Sequence, residues 1–203
     1  MPLIVDKAER RAMVARIAFD LVADTGIGAV TFRQVAEATG YSTAIVTNYF
    51  NDKNDLLFEI HRLANRRAMD VLAAAFRDGQ DLLEVLACVL PVSGEMQRNW
   101  RVWLAFWGLS HSDPAFSKET AANARASLDL YCEMLAGRYR NASALPSDTI
   151  EVMARRLVAT VGGVCLQACL APRDWPLDRL RAIIAGEIAT CDGIVGTFPN
   201  GPN

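Results

Sequence analysis

Thr31-Phe32-Arg33-Gln34-Val35-Ala36-Glu37-Ala38-Thr39-Gly40-Tyr41-Ser42-Thr43-Ala44-Ile45-Val46-Thr47-Asn48-Tyr49-Phe50 is the stretch on which the fold turns. Thr31 followed by Gln34 has the spacing of a capping box, so a helix starts there. Phe32, Val35 and Ala36 give that short helix one apolar side. Gly40 suits the left-handed position that ends it. Ser42 can cap a following helix that runs through Phe50. The connection is therefore Gly40-Tyr41-Ser42. Two short helices joined by so tight a turn cannot lie as a long antiparallel pair; they cross steeply, as in a helix-turn-helix.

On the second of these helices Val46 and Phe50 are four apart and face the core, with Ile45 and Tyr49 in the neighbouring row. Thr43, Ala44, Thr47 and Asn48 make the outward side. Such a face fits a DNA major groove. Short side chains let the helix approach, hydroxyl and amide groups reach base edges, and Ala44 can touch a thymine methyl. Thr31 and Ser42 place hydroxyls and free N–H groups at helix starts, where a phosphate can bind. Arg33, Tyr49 and Lys53 can reach phosphates on either side. Periodicity alone leaves a second reading open, a small polar helix that merely caps a bundle.

Outward from this stretch the apolar period stays helical, and no alternating strand pattern interrupts it. Residues 6–24 carry Val14, Ile17, Ala18, Leu21 and Val22 on one face, and Gly26 and Gly28 end that helix. Asp52 can cap a long fourth helix to about residue 76. Five more are expected over about 81–91, 94–109, 113–139, 147–171 and 176–197, separated at Pro114, Pro146-Ser147 and 172–176. The expected fold is thus all-α with about nine helices. Its domains are a helix-turn-helix domain over 1–52, with the motif at 31–50, and a C-terminal helical domain over 53–197. Residues 198–203 are expected to fray.

Just over half of the 203 residues are apolar, at 52%, so a real core is expected. The net charge is −2. The first 53 residues balance Lys7, Arg10, Arg11, Arg16, Arg33 and Lys53 against Asp6, Glu9, Asp20, Asp24, Glu37 and Asp52. Charge therefore gives no support for a nucleic-acid partner, and pattern must carry it. Asp6 and the charges after it interrupt the apolar start, so no export signal is expected. No apolar run approaches the roughly 20 residues of a membrane span. Five scattered cysteines (Cys88, Cys132, Cys165, Cys169 and Cys191) read as reduced thiols, and the chain as cytoplasmic.

Enzyme chemistry finds little footing. His61 and His111 stand far apart and outside metal-ligand spacing. Cys165 and Cys169 share a helical face, but apolar thiols are the simpler reading. Neither a nucleophile elbow nor a phosphate or dinucleotide loop is present. No catalytic residue, metal or cofactor is expected. The rival to a DNA-binding protein is an all-helical ligand-binding or scaffold protein without a DNA function.

Thr31, Gly40, Ser42, Tyr49-Phe50 and Lys53 agree in type and spacing with the helix-turn-helix signature of the TetR family, which the first 57 residues resemble. The nonapeptide 42–50, with Thr47 where many members have Tyr, is similar to the BetI branch of choline-responsive repressors. The likeness continues at Trp103-Leu104-Ala105-Phe106-Trp107. The resemblance implies an all-α homodimer that binds operator DNA through Thr31, Arg33, Ser42, Thr43, Ala44, Thr47, Asn48, Tyr49 and Lys53. It also implies a small-molecule effector, held in the C-terminal domain, that releases the DNA.

Trp100, Trp103, Leu104 and Trp107 recur at helical spacing, with Phe106 beside them. Aromatics so spaced read either as a core stripe or as a pocket wall, and in this family the stripe can be both. Trp100, Trp103, Phe106, Trp107 and Tyr131 are the expected ligand-binding residues. In the BetI branch the penultimate helix carries an acid and a tryptophan. Here it reads Gly162-Gly163-Val164-Cys165, so a bound cation lacks its counter-charge, and an effector other than choline is expected. Glu95, Asp129 and Glu133 are the remaining candidates for that charge. Val158, Val161, Leu166 and Leu170, then Leu177, Leu180, Ile184, Ile188 and Cys191, line the last two helices. They form either a core stripe or, as expected here, a four-helix dimer interface over 147–171 and 176–197.

Overall fold

The Thr31 side chain accepts from the Gln34 N–H at 3.2 Å, and the Gln34 side chain accepts in return from the Thr31 N–H at 3.0 Å. The expected capping box is therefore present in the computed structural model of the chain, which describes residues 7–140 and 145–198. The expected start of the first helix at Asp6 and the tail from 199 onward lie outside the described residues.

Among the described residues there are nine α-helices, one short 3-10 turn at Ile27–Ala29, and no strand. The helices are α1 (Lys7–Thr25), α2 (Phe32–Thr39), α3 (Thr43–Thr47), α4 (Lys53–Arg77), α5 (Leu82–Ala87), α6 (Gly94–Ser112), α7 (Pro114–Arg138), α8 (Ser147–Leu170) and α9 (Leu177–Gly196).

Three boundaries differ from expectation. The helix expected to run through Phe50 ends at Thr47, where the backbone tightens to hydrogen bonds three residues back. The helix expected over 81–91 closes at Ala87. Bonds from Val89 to Leu86 and from Leu90 to Ala87 tighten the chain there, ahead of Pro91, which disfavours a helical residue before it. The helix expected to stop at 109 runs on to Ser112, because the stop signal belongs to Asp113. Its carboxylate accepts from the Ala115 N–H at 2.8 Å and starts α7.

The chain groups into two compact units, which cut it differently from the expected division at 52 and 53. One comprises the residues up to Arg67 together with Arg98–Lys118; the other comprises Ala68–Gln97 together with the residues from Glu119 on. Contact defines these units, whereas role defined the expected domains.

The first unit has one core, built from Val14, Ala18 and Phe19 of α1, Val35, Val46, Phe50, Leu56 and Ile60, closed by Val102, Phe106 and Phe116. Phe58 and Phe116 stack with centroids 4.1 Å apart. Arg98 ties α6 to α1. Its guanidinium donates to both Asp24 oxygens, at 2.8 and 2.9 Å, and to Asp20.

In the second unit α9 is pinned to three helices. Arg181 pairs with Glu84 of α5, and Arg156 of α8 pairs with Glu187 at 2.6 Å. Arg138, at the end of α7, holds Asp192 at 3.1 Å. Val161, Leu180, Ile184, Ile188 and Cys191 are buried in this unit, which makes them core residues. The large apolar side chains left outside on α8 and α9 are Val152, Leu170, Leu177 and Ile183. Among the described helices α8 alone is long and apolar enough to cross a membrane, with a mean hydropathy of 1.3.

Candidate nucleic-acid interface

A five-residue helix has one turn of hydrogen bonds and cannot stand in water by itself. α3 stands because its surroundings supply what its length does not. At its start, Gly40 takes the left-handed conformation, φ 72°, that residues with a side chain avoid. The Tyr41 N–H then reaches back to the Ala36 carbonyl at 3.0 Å, closing α2 in a Schellman pattern and turning the chain. Ser42 Oγ accepts from the Ile45 N–H at 3.3 Å. From behind, Val46 and Phe50 sink into the core, 0% and 1% exposed.

At its end stands Arg11 of α1. Its guanidinium donates to the Tyr49 carbonyl and to both oxygens of Asp55, at 2.7 and 3.3 Å, and lies 4.4 Å over the Phe50 ring. Asp55 in turn accepts from the Asn51 N–H at 3.0 Å, while Asp52 caps α4 by accepting from the Asp55 N–H at 2.8 Å. After Thr47 the backbone tightens, the Asn48 and Tyr49 N–H groups reaching the Ile45 and Val46 carbonyls three residues back, and beyond them the Tyr49 carbonyl and the Asn51 N–H are held by side chains. The hydrogen bond from Arg11 holds the Asp55 carboxyl below its ordinary range against the opposing effect of burial, and the Asn51 N–H adds to it. Sequence reading missed Arg11 as a functional residue. Its partners lie 38 and 44 residues away, and in sequence it was one charge in a balanced count.

The residues expected to meet DNA all fall in the first unit, at the start of α2, along α3 and at the start of α4. Thr43, Ala44, Thr47 and Asn48 are exposed, and so are Arg33 and Lys53, the latter at the first position of α4. Thr31 and Ser42 are exposed, with their side chains engaged as caps. In the first turns of α2 and α3 the leading N–H groups lack carbonyls four residues back, which is the arrangement that receives phosphate oxygens. Tyr49 is half-buried. Thr47 Oγ1 donates to the Ala44 carbonyl at 3.0 Å.

The residues expected to line a ligand pocket do not share one unit. Trp100, Trp103 and Trp107 sit along one side of α6. Trp100 meets Trp103 edge-on at 4.9 Å and Trp107 edge-on at 6.5 Å. Trp103 Nε1 donates to Asn65 Oδ1 at 2.9 Å, whereas Trp107 is 43% exposed. Phe106 is a core residue, 1% exposed, with His61 at 4.9 Å and Phe116 at 5.7 Å. Tyr131 is buried in the second unit, where desolvation and then the neighbouring Cys165 push its phenol up. Glu95, Asp129 and Glu133 are all exposed. A buried polar residue that sequence reading passed over is Asn99. Its amide donates to the Ala64 carbonyl at 3.2 Å, and among the described residues its Oδ1 has no partner.

The chain matches the family of bacterial regulatory proteins of the tetR type over residues 16–60. It matches the C-terminal domain of BetI-type transcriptional repressors over residues 80–193. It is 25% identical to the transcriptional regulator BetI of Cronobacter sakazakii over 189 residues, covering 90% of this chain and 91% of that one. A transcriptional regulator from Rhodococcus superposes with a TM-score of 0.80 at 22% identity, covering 93% of this chain and 99% of the other. A regulator from Saccharomonospora viridis solved with choline gives 0.77 at 24% identity, covering 90% and 96%. The helix-turn-helix at 31–50 and the helical region behind it thus both have counterparts of one kind, and the chain belongs to the TetR family of DNA-binding transcriptional regulators, with a C-terminal region of the BetI type.

Proposed function

We propose that the chain is a repressor that works as a homodimer. Two copies of α3 enter successive major grooves of an operator, about 34–36 Å apart. Residues 1–52 bind the DNA, and residues 53–197 bind a small molecule and form the dimer. The observation that carries this reading is the exposed, uncharged face of Ala44, Thr47 and Asn48, held from behind by Ser42, Val46 and Arg11. Thr31, Arg33, Ser42, Tyr49 and Lys53 grip phosphates on either side. The apolar side chains of Val152, Leu170, Leu177 and Ile183, left in water on α8 and α9, support a dimer through those helices. A regulator of this kind works in the cytoplasm, where its DNA is.

The effector in this reading is neutral, with the tryptophans of α6 as its aromatic contacts. Among the described residues no carboxylate is buried to stand as counter-charge to a cation, which favours a neutral ligand. The effector releases DNA because it prefers a state in which α4 is inclined differently and the two α3 helices no longer match the groove spacing.

Anisotropy with the upstream intergenic DNA, random competitor DNA and a salt series tests the repressor. Tight binding that survives competitor and is lost on adding effector is the expected result; equal affinity for random DNA refutes it. Micromolar binding of choline by calorimetry refutes the neutral effector.

A further inference from the structure

Val46 is fully buried and fixes the rotation of α3. At about 100° per residue, the opposite side is centred between Ala44 and Asn48, with Thr47 on one flank and Ile45 on the other. Ile45 is 37% exposed, although its row was expected to lie beside the core. It brings a branched aliphatic group next to the Asn48 amide, while Thr47 flanks the Ala44 methyl. Thr47 spends its hydroxyl proton on the Ala44 carbonyl, which leaves its methyl as a further apolar group on this face.

This surface holds no arginine or lysine, the side chains that most often read guanine through O6 and N7. Its bidentate group is the Asn48 amide, which suits adenine N6 and N7. Every adenine read in this way faces a thymine on the other strand, and thymine presents a C5 methyl in the same groove. Amide and aliphatic groups therefore ask for the same base pair.

The geometry points to Ile45, with Asn48 beside it, as the specificity-determining residue that reads thymine C5 methyl groups in an A·T-rich half-site. This rests on the operator-binding reading above.

The test begins with a randomised duplex library selected by the full-length chain. The tightest duplex is made again with deoxyuridine at its half-site thymines, which deletes the methyl and keeps the pairing. The wild-type chain is expected to bind the deoxyuridine duplex about three- to fivefold more weakly for each methyl contacted. Ile45→Ala is expected to bind both duplexes nearly alike, and Ile45→Thr to fall between, with circular dichroism confirming that both variants keep their helices. Equal binding of the two duplexes by the wild type overturns the inference, as does full discrimination retained by Ile45→Ala. A library in which no sequence is enriched overturns the operator-binding reading and this inference together. Enrichment followed by indifference to the methyl overturns this inference alone.

Discussion

Replacing Arg11 by methionine keeps most of the side chain's length over Phe50 and removes its hydrogen bonds to the Tyr49 carbonyl and Asp55. We expect Arg11→Met to cost about 1.5–3 kcal/mol in urea unfolding, the range for hydrogen bonds to charged groups. Operator affinity should fall with it, since α3 loses its terminal anchor. Asp55 gives the matching pH dependence. Its folded carboxyl titrates below its ordinary value of about 3.8, so the folded state favours the ionised form. The stabilisation is complete above the ordinary carboxylate range and is lost as pH falls through the depressed value. Thermal melts between pH 6 and pH 3 should show a steeper loss for the wild type than for Asp55→Asn.

Thr47 and Lys53 separate two kinds of contact. Thr47→Ala should relax sequence choice, whereas Lys53→Ala should weaken binding to every duplex and lower the salt slope by about 1. Salt titrations on operator and random DNA distinguish them. At this scale the sequence was legible where bonding is local. Thr31 with Gln34, Gly40, Ser42 and Asp52 each act within five residues, and their spacing announces them. Arg11 and Arg98 act across long loops, and no spacing rule reveals their partners. Ile45 looked apolar and therefore inward, because residue type records hydrophobicity but not the rotation that Val46 imposes.

Helices follow the same division. Their number and order were readable from apolar period and proline breaks, while the ends of α5 and α6 were set by a proline and a side chain outside the periodic pattern, and the end of α3 by a tightening of its backbone. α8 carries a further prediction. A methyl added at Gly162 or Gly163 meets nothing within 4 Å in the chain, and alanine is the better helix former by about 1 kcal/mol. Gly162→Ala and Gly163→Ala should therefore leave the protomer as stable or stabilise it. If α8 meets its two-fold mate closely at these positions, the same variants should weaken the dimer about tenfold by sedimentation, a loss of about 1.4 kcal/mol. A dimer of unchanged strength would place the contact elsewhere on α8 and α9. Sequence could not sort Leu170 and Leu177 from Leu180 and Ile184, since an outer and an inner apolar row share one composition.

For the whole molecule, a net charge of −2 gives DNA no general attraction, so affinity must come from the local set around α3. The proposed homodimer makes stability depend on concentration, and the melting temperature should rise with protein concentration over the micromolar range. A constant value would leave the outer residues of α8 and α9 without a partner copy.

The grip of Arg11 has one more consequence. It closes on the backbone oxygen of residue 49, on the Asp55 carboxylate and over the Phe50 ring, and on no outward side chain of α3; the other supports of α3 also lie behind it or at its cap. None of them senses what stands at 44, 45, 47 or 48. Those four positions can change without disturbing the frame that presents them, so in the proposed regulator operator preference is free to drift or be rewritten while that frame is inherited intact.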